Sequence, residues 1–157
     1  MKQIDESKFT VYLSSTKYSI FNYKSYTWKD KFMNMTWDIL GCDVEFYDPI
    51  KDYYSDDYKM ACPEDLDAIS KCNFVVVYID KVTIGTMLEL GLCLFSEKYK
   101  KPYGVLTFNK KVYNHPWLSY LCDGENKCMY DNYIDLIIDK MKKPYIKWWS
   151  TNITKGM

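Results

Sequence analysis

The sequence lacks most of what a metal site needs. Histidine occurs once, at His115, and the six cysteines (Cys42, Cys62, Cys72, Cys93, Cys122, Cys128) never fall at C-x-x-C spacing. Protein metal sites ask for closer pairs and more imidazole, so free, mostly buried thiols in a reducing compartment are expected. There is no basic excess either. Lys plus Arg and Asp plus Glu both number 21, for a formal net charge of zero, which excludes the electrostatic footprint of a nucleic-acid or anionic-membrane surface. No apolar run nears the ~20 residues of a membrane helix. The opening Met-Lys-Gln-Ile-Asp-Glu has no apolar signal-peptide core, so a cytoplasmic protein is expected. Repeats, linkers and low-complexity tracts are absent, and 157 residues suffice for one domain with a real core. Residues 1–157 are therefore read as a single domain.

What the chain does have is a patterned stretch at residues 73–95: NFVVVYID, then KVT, then IGTMLELGLCLF. Residues 74–79 are aromatic or β-branched throughout, which predicts a strand buried on both faces. After it, Leu88, Leu92 and Phe95 recur at helical spacing, with Met87, Leu90 and Leu94 widening a predicted buried face. Glu89 falls about one turn into this helix, near the carboxyl end of a central strand, where open α/β sheets collect ligands. Its neighbours are almost all apolar, and a carboxylate in such surroundings is costly to bury unless it has a use.

The remaining elements alternate in type. Residues 9–14 (FTVYLS) read as a first strand running into the polar Ser14, Ser15 and Thr16, and residues 22–26 as a loop. Trp28, Phe32, Met35 and Ile39 form a helical stripe stopped by Gly41, and residues 43–47 (DVEFY) alternate as a second strand. The acidic, tyrosine-rich residues 50–62 read as a loop, after which Pro63 would open a short helix with Ala68 and Ile69 facing the core. Residues 103–108 (YGVLTF) and 128–130 read as strands, residues 109–126 as an irregular stretch with a turn at Asp123-Gly124. Tyr133, Ile134, Ile137, Ile138 and Met141 predict a last amphipathic helix, and the Trp148-Trp149 pair a packed tail. Strands alternating with helices imply a parallel sheet covered on both faces. The predicted fold is α/β: a flavodoxin-like doubly wound sandwich with a mainly parallel sheet of about five strands.

A strand ending in Tyr-Ile-Asp, a short loop, then G-T-x-x-E-x-G (residues 85–91) with Lys101-Pro102 ten residues on, resembles the nucleoside 2-deoxyribosyltransferase family. The resemblance runs in order over about residues 9–135. It matches Tyr12 to the tyrosine that ends the family's first strand. Asp65, 24 residues before Glu89, takes the place of an aspartate on the short helix before the central strand, and Asn126 that of an asparagine in a late loop. One position departs: Thr83 stands six residues before Glu89, where the family often has a second aspartate. Asp80 is near but not equivalent, and the nucleobase preference is left open.

The resemblance implies exchange of the nucleobase of a 2-deoxynucleoside through a covalent glycosyl-glutamate. A carboxylate attacking the anomeric carbon stabilises the oxocarbenium-like sugar, and an acid supplies the departing base with a proton. Glu89 is the implied nucleophile, Asp65 the acid and Tyr12 the donor that holds Glu89 in its attacking rotamer. Substrate contacts are implied for Ser14, Thr83, Gly85, Thr86, Asn126 and Met129, with Thr86 also read as a possible helix cap. Asn126 would serve a neighbouring copy's site, which implies a homo-oligomer, a dimer or a trimer of dimers. The partners are a deoxynucleoside and a free nucleobase, with no nucleic-acid polymer, no membrane, no metal and no organic cofactor. Two alternatives stay open. One is a deoxynucleoside 5-monophosphate N-glycosidase with Ser14, Ser15 and Thr16 as a phosphate cradle, against which counts a first loop without glycine or arginine. The other is a non-catalytic nucleotide-binding domain. A flavodoxin-type electron carrier would share the fold but needs a phosphate loop that has no match here.

Overall fold

The structure, a computed structural model, describes residues 3–15, 23–52, 57–122 and 127–155. Five strands form one all-parallel sheet in the order β2-β1-β3-β4-β5. They are β1 (Phe9–Ser14), β2 (Val44–Tyr47), β3 (Phe74–Tyr78), β4 (Tyr103–Leu106) and β5 (Met129–Tyr130). This is the order of a flavodoxin-like doubly wound sheet, as the sequence predicts. Side-chain alternation splits the strands between two cores. Phe9, Val11, Leu13, Phe74 and Val76 point to one face with Trp28, Phe32, Ile137, Met141 and Tyr145. Tyr12, Val75 and Val77 point to the other with Ile69, Leu90, Cys93 and Leu118. Both faces of β3 are thus covered, which is why its sequence is unbroken by polar residues.

The helices account for that cover. α1 (Tyr23–Leu40) lies on the Trp28 face and stops where predicted, because Gly41 takes φ 110° and its amide bonds back to the Trp37 carbonyl at 2.9 Å. The predicted loop at residues 22–26 is corrected from Tyr23 onward, which is already helical. After β2 comes one short turn of helix, α2 (Pro49–Asp52), inside the stretch expected to be loop. α3 (Tyr58–Lys71) starts five residues before Pro63, so Pro63 lies within it and does not open it. The start is set by Asp57, whose side chain accepts the Lys59 amide at 2.9 Å. Ala68 and Ile69 of α3 are buried as predicted.

α4 (Ile84–Phe95) packs inward by one edge of its predicted face, with Leu90 buried and Met87 and Leu94 against the core, but not by the predicted Leu88–Phe95 stripe. Its buried residues are Thr86, Leu90 and Cys93, while Leu88 and Phe95 are 64% and 73% exposed. A helix that is apolar all round has no polar face to choose its orientation, so spacing alone cannot say which stripe packs inward. Residues 109–126 are not wholly irregular: α5 (Lys110–Tyr113) is capped by the Asn109 side chain, and α6 (Pro116–Cys122) opens on a proline. The turn expected at Asp123-Gly124 lies outside the described residues. In the last segment, α7 (Tyr133–Leu136) passes through a wider π turn (Ile137–Met141) into α8 (Lys142–Lys155). The extra residue in that turn brings Leu136, Ile137 and Met141 inward and leaves Ile134 and Ile138 half out. Trp148 packs on Phe9 and Tyr145, while Trp149 is largely exposed. Gly104 lets α7 close on the sheet, since a Cβ there would lie 2.9 Å from Leu136 Cγ. Among the described residues no helix is long and apolar enough to cross a membrane.

Candidate active site

The site is built where β1 and α4 meet. Alternation puts Tyr12 and Ser14, two residues apart, on the same face of β1 and at its carboxyl end. α4 begins after the β3 carboxyl end and presents Glu89, its sixth residue, toward that face. Tyr12 Oη donates to Glu89 Oε1 at 3.1 Å, and Ser14 Oγ donates to Oε2. Both carboxylate oxygens are therefore held by hydroxyls of a single central strand. Tyr12 and Ser14 are fully buried and Glu89 is half-buried, so one part of the carboxylate environment stays open.

Burial pushes the Tyr12 phenol well above its usual range, and the charges of Glu89 and Asp65 push it further. It stays protonated and a donor at any pH near neutral. Tyr47, on the end of β2, stacks on Tyr12 with ring centroids 5.8 Å apart. Its phenol is pushed up to about 12 by burial and next by the charge of Asp65. The Asp65 carboxylate, half-buried on α3, thus acts on both rings of the stack. The structure brings Tyr12, Ser14, Asp65 and Glu89 into one electrostatic neighbourhood.

The other predicted positions are spread around it. Thr83 sits at the start of α4, and its hydroxyl donates to that of Thr86 at 3.0 Å. Thr86 is the third residue of the helix and buried, so the capping position belongs to Thr83 and not to Thr86. Gly85 is exposed, and a Cβ there would meet nothing within 4 Å. Met129 is not brought to Glu89: it lies buried on β5, two strands beyond β3. Asn126 lies outside the described residues, as does Thr16.

One feature escaped the sequence. Lys29, on α1, is the only charged side chain fully buried among the described residues, and its Nζ bonds Asp48 Oδ1 at 2.6 Å. Asp48 follows β2, also accepts the Ile50 amide, and is joined through its own amide to the Asp52 carboxylate. Burial lowers the Lys29 pKa, while Asp48, Asp52 and Glu89 act to raise it, so the ammonium lies within the field of Glu89. A lysine beside a buried tryptophan, and an aspartate before a proline, carry no periodic signal that would pair them. A cavity of about 290 Å³ beside Tyr47, walled in part by Gln3, Glu64 and Lys71, does not include Glu89. No group of three or more His, Cys, Asp or Glu among the described residues is placed to hold a metal ion.

No family model matches the sequence, and no curated protein matches it. Solved structures match in shape. A 2-desoxiribosyltransferase from Leishmania mexicana is 17% identical with a TM-score of 0.46, over 64% of this chain and 65% of that one, just under two thirds of its length. A conserved protein from Enterococcus faecalis V583 is 15% identical with a TM-score of 0.54, over 85% of this chain and 88% of that one. At 15% identity the likeness to the Enterococcus faecalis protein is one of fold, and it agrees with the five-stranded parallel sheet flanked by helices.

Proposed function

We propose that the chain transfers the 2-deoxyribosyl group of a deoxynucleoside from one nucleobase to another, with Glu89 as nucleophile. One observation carries this reading: both oxygens of a half-buried carboxylate are held by the Tyr12 and Ser14 hydroxyls at the carboxyl edge of the sheet. Two donors on one strand fix the carboxylate rotamer, which is what attack along a defined line requires. A Glu89 oxygen bonds to the anomeric carbon while the bond to the base breaks, and Asp65 gives its proton to the base. The resulting glycosyl ester is then attacked by a second base, which restores Glu89, or by water, which releases the sugar. That role needs Asp65 to enter the cycle carrying the proton that the departing base receives. Thr83, Gly85 and Thr86 remain proposed substrate contacts; Met129, buried on β5 away from Glu89, does not. Asn126 is proposed to reach a neighbouring copy's site in a homo-oligomer, which sedimentation tests directly.

A second reading, hydrolysis of deoxynucleoside 5-monophosphates, has one observation in its favour. Ser15 Oγ is out of contact with water and has no hydrogen-bond partner among the described residues, so a phosphate oxygen would satisfy it. Against it, Ser14 is already engaged by Glu89, and the chain contains no arginine. Chromatography of protein incubated with a deoxynucleoside, with and without a different free base, separates the two. A new deoxynucleoside that forms only with added base is expected. Free base released from the 5-monophosphate alone would favour hydrolysis, and no turnover of either substrate by folded protein would overturn both.

A further inference from the structure

At the amino edge of the sheet, opposite the edge that carries Glu89, two thiols and a phenol converge. Cys122 ends α6, and Cys128 immediately precedes β5. The Cys128 amide donates to the Cys122 carbonyl at 3.1 Å, so the two backbones are one hydrogen bond apart. Cys122 and Tyr103 also lie near enough to act on the Cys128 thiol. Each cysteine is 2% exposed, yet a cavity of about 180 Å³ is lined by Cys122, Ser119, Lys127 and Met129. That space exceeds the ~30 Å³ share of one water, so a molecule the size of hydrogen peroxide fits beside Cys122, one hydrogen bond from Cys128.

We propose that Cys122 and Cys128 are an oxidative modification site, closing to a reversible disulfide when the protein meets a small peroxide. A disulfide needs Cα atoms about 4.4–6.8 Å apart, and the 3.1 Å bond from the Cys128 amide to the Cys122 carbonyl brings the two backbones together on that scale. The inference rests on the thiols and not on the proposed glycosyl transfer. The Cys128 sulfur attacks one peroxide oxygen and breaks the O–O bond, giving a sulfenic acid and water. The Cys122 sulfur then displaces the sulfenic hydroxyl, which leaves as water with the thiol proton. Two thiols and one peroxide become one disulfide and two waters, and the two electrons pass from sulfur to oxygen.

The two thiols differ in their surroundings. Cys122, then Tyr103 and the charge of Lys140, lower the Cys128 pKa against its burial, and the thiolate is the attacking form. Cys72 and Cys93 supply an internal contrast. They are also buried, and Cys93 feels the charge of Cys72, but burial pushes both up to about 12. A shared interior therefore sets Cys128 apart from Cys72 and Cys93.

The test uses the full chain with the exposed Cys42 and Cys62 changed to serine, treated with hydrogen peroxide at neutral pH. The protein is then unfolded in iodoacetamide and its unreduced peptides are weighed. The expected product is a linked Cys122–Cys128 peptide, lighter by two hydrogens and restored by dithiothreitol. It should form roughly ten-fold faster than Cys72 or Cys93 is lost. In Cys122→Ser protein, Cys128 should run on to the sulfinic acid. Recovery of Cys122 and Cys128 as free thiols, or linkage no faster than loss of Cys72 and Cys93, overturns the proposal.

Discussion

The sheet carries two buried clusters of similar plan at opposite edges. At the carboxyl edge, Glu89 receives hydrogen bonds from Tyr12 and Ser14; at the amino edge, Cys122 and Tyr103 act on the Cys128 thiol. The difference lies in what holds the neighbours. Tyr12 and Ser14 hang on one strand with neighbours on both sides, so their spacing is fixed by the pleat. Cys122 and Tyr103 come from α6 and β4, and Cys128 from the segment leading into the two-residue edge strand β5. A group that attacks along one line gains from the first arrangement. Two sulfurs that must close from contact to a bond gain from the second, because connections between elements yield more readily than a central strand. One edge is built to hold still and the other has room to shift.

That contrast breaks most sharply at Glu89. Glu89→Gln should lower base exchange by on the order of 10⁴-fold or more with the fold intact; steady-state kinetics beside a melting curve would show it, and a loss under ten-fold would remove the carboxyl-edge cluster from the chemistry. The aim of Glu89 depends on which face of α4 is buried. Leu90→Ala should cost about 2–5 kcal/mol in urea unfolding, while Leu88→Ala should stay within about 0.5 kcal/mol. Equal losses would mean that the helix is turned otherwise. Tyr12→Phe and Ser14→Ala should each reduce kcat by about 10²-fold with KM little changed; hydroxyls that matter only for stability would leave kcat alone.

At the amino edge the prediction concerns pH. The Cys128 pKa is lowered to about 7 from an ordinary 9.0, chiefly by the neighbouring Cys122. A lowered acid pKa means thiolate is present above about 7, so reaction with a small alkylating agent should be half-maximal near there. In Cys122→Ala the midpoint should move toward 9, because the side chain that lowers the Cys128 pKa is gone. No movement would assign the lowering to Tyr103 and Lys140 instead.

The legible parts of this protein are those where one physical demand fixes several residues. β3 is readable because both of its faces must be apolar, and the end of α1 because Gly41 must take a positive φ. Tyr12 and Glu89 were within reach of the sequence because each sits at a fixed place on a regular element. The outward face of α4 was not, since Ile84, Leu88 and Phe95 are as apolar as the residues that pack inward. Pro63 misled because the Asp57 cap outweighs a proline that its helix tolerates. Ser14 was read as a substrate contact, whereas its described partner is Glu89 itself. Lys29 with Asp48, and Cys122 with Cys128, depend on tertiary proximity of polar groups, for which no periodicity exists.

The central claim is that Glu89 carries the sugar during turnover. Protein incubated with a deoxynucleoside in the absence of any acceptor base, quenched in acid and digested, can be weighed peptide by peptide. The account predicts one added deoxyribosyl group on the peptide containing Glu89, lost when a free base is supplied before the quench. Base exchange proceeding at full rate with the adduct absent, or found on a different carboxylate, would contradict it.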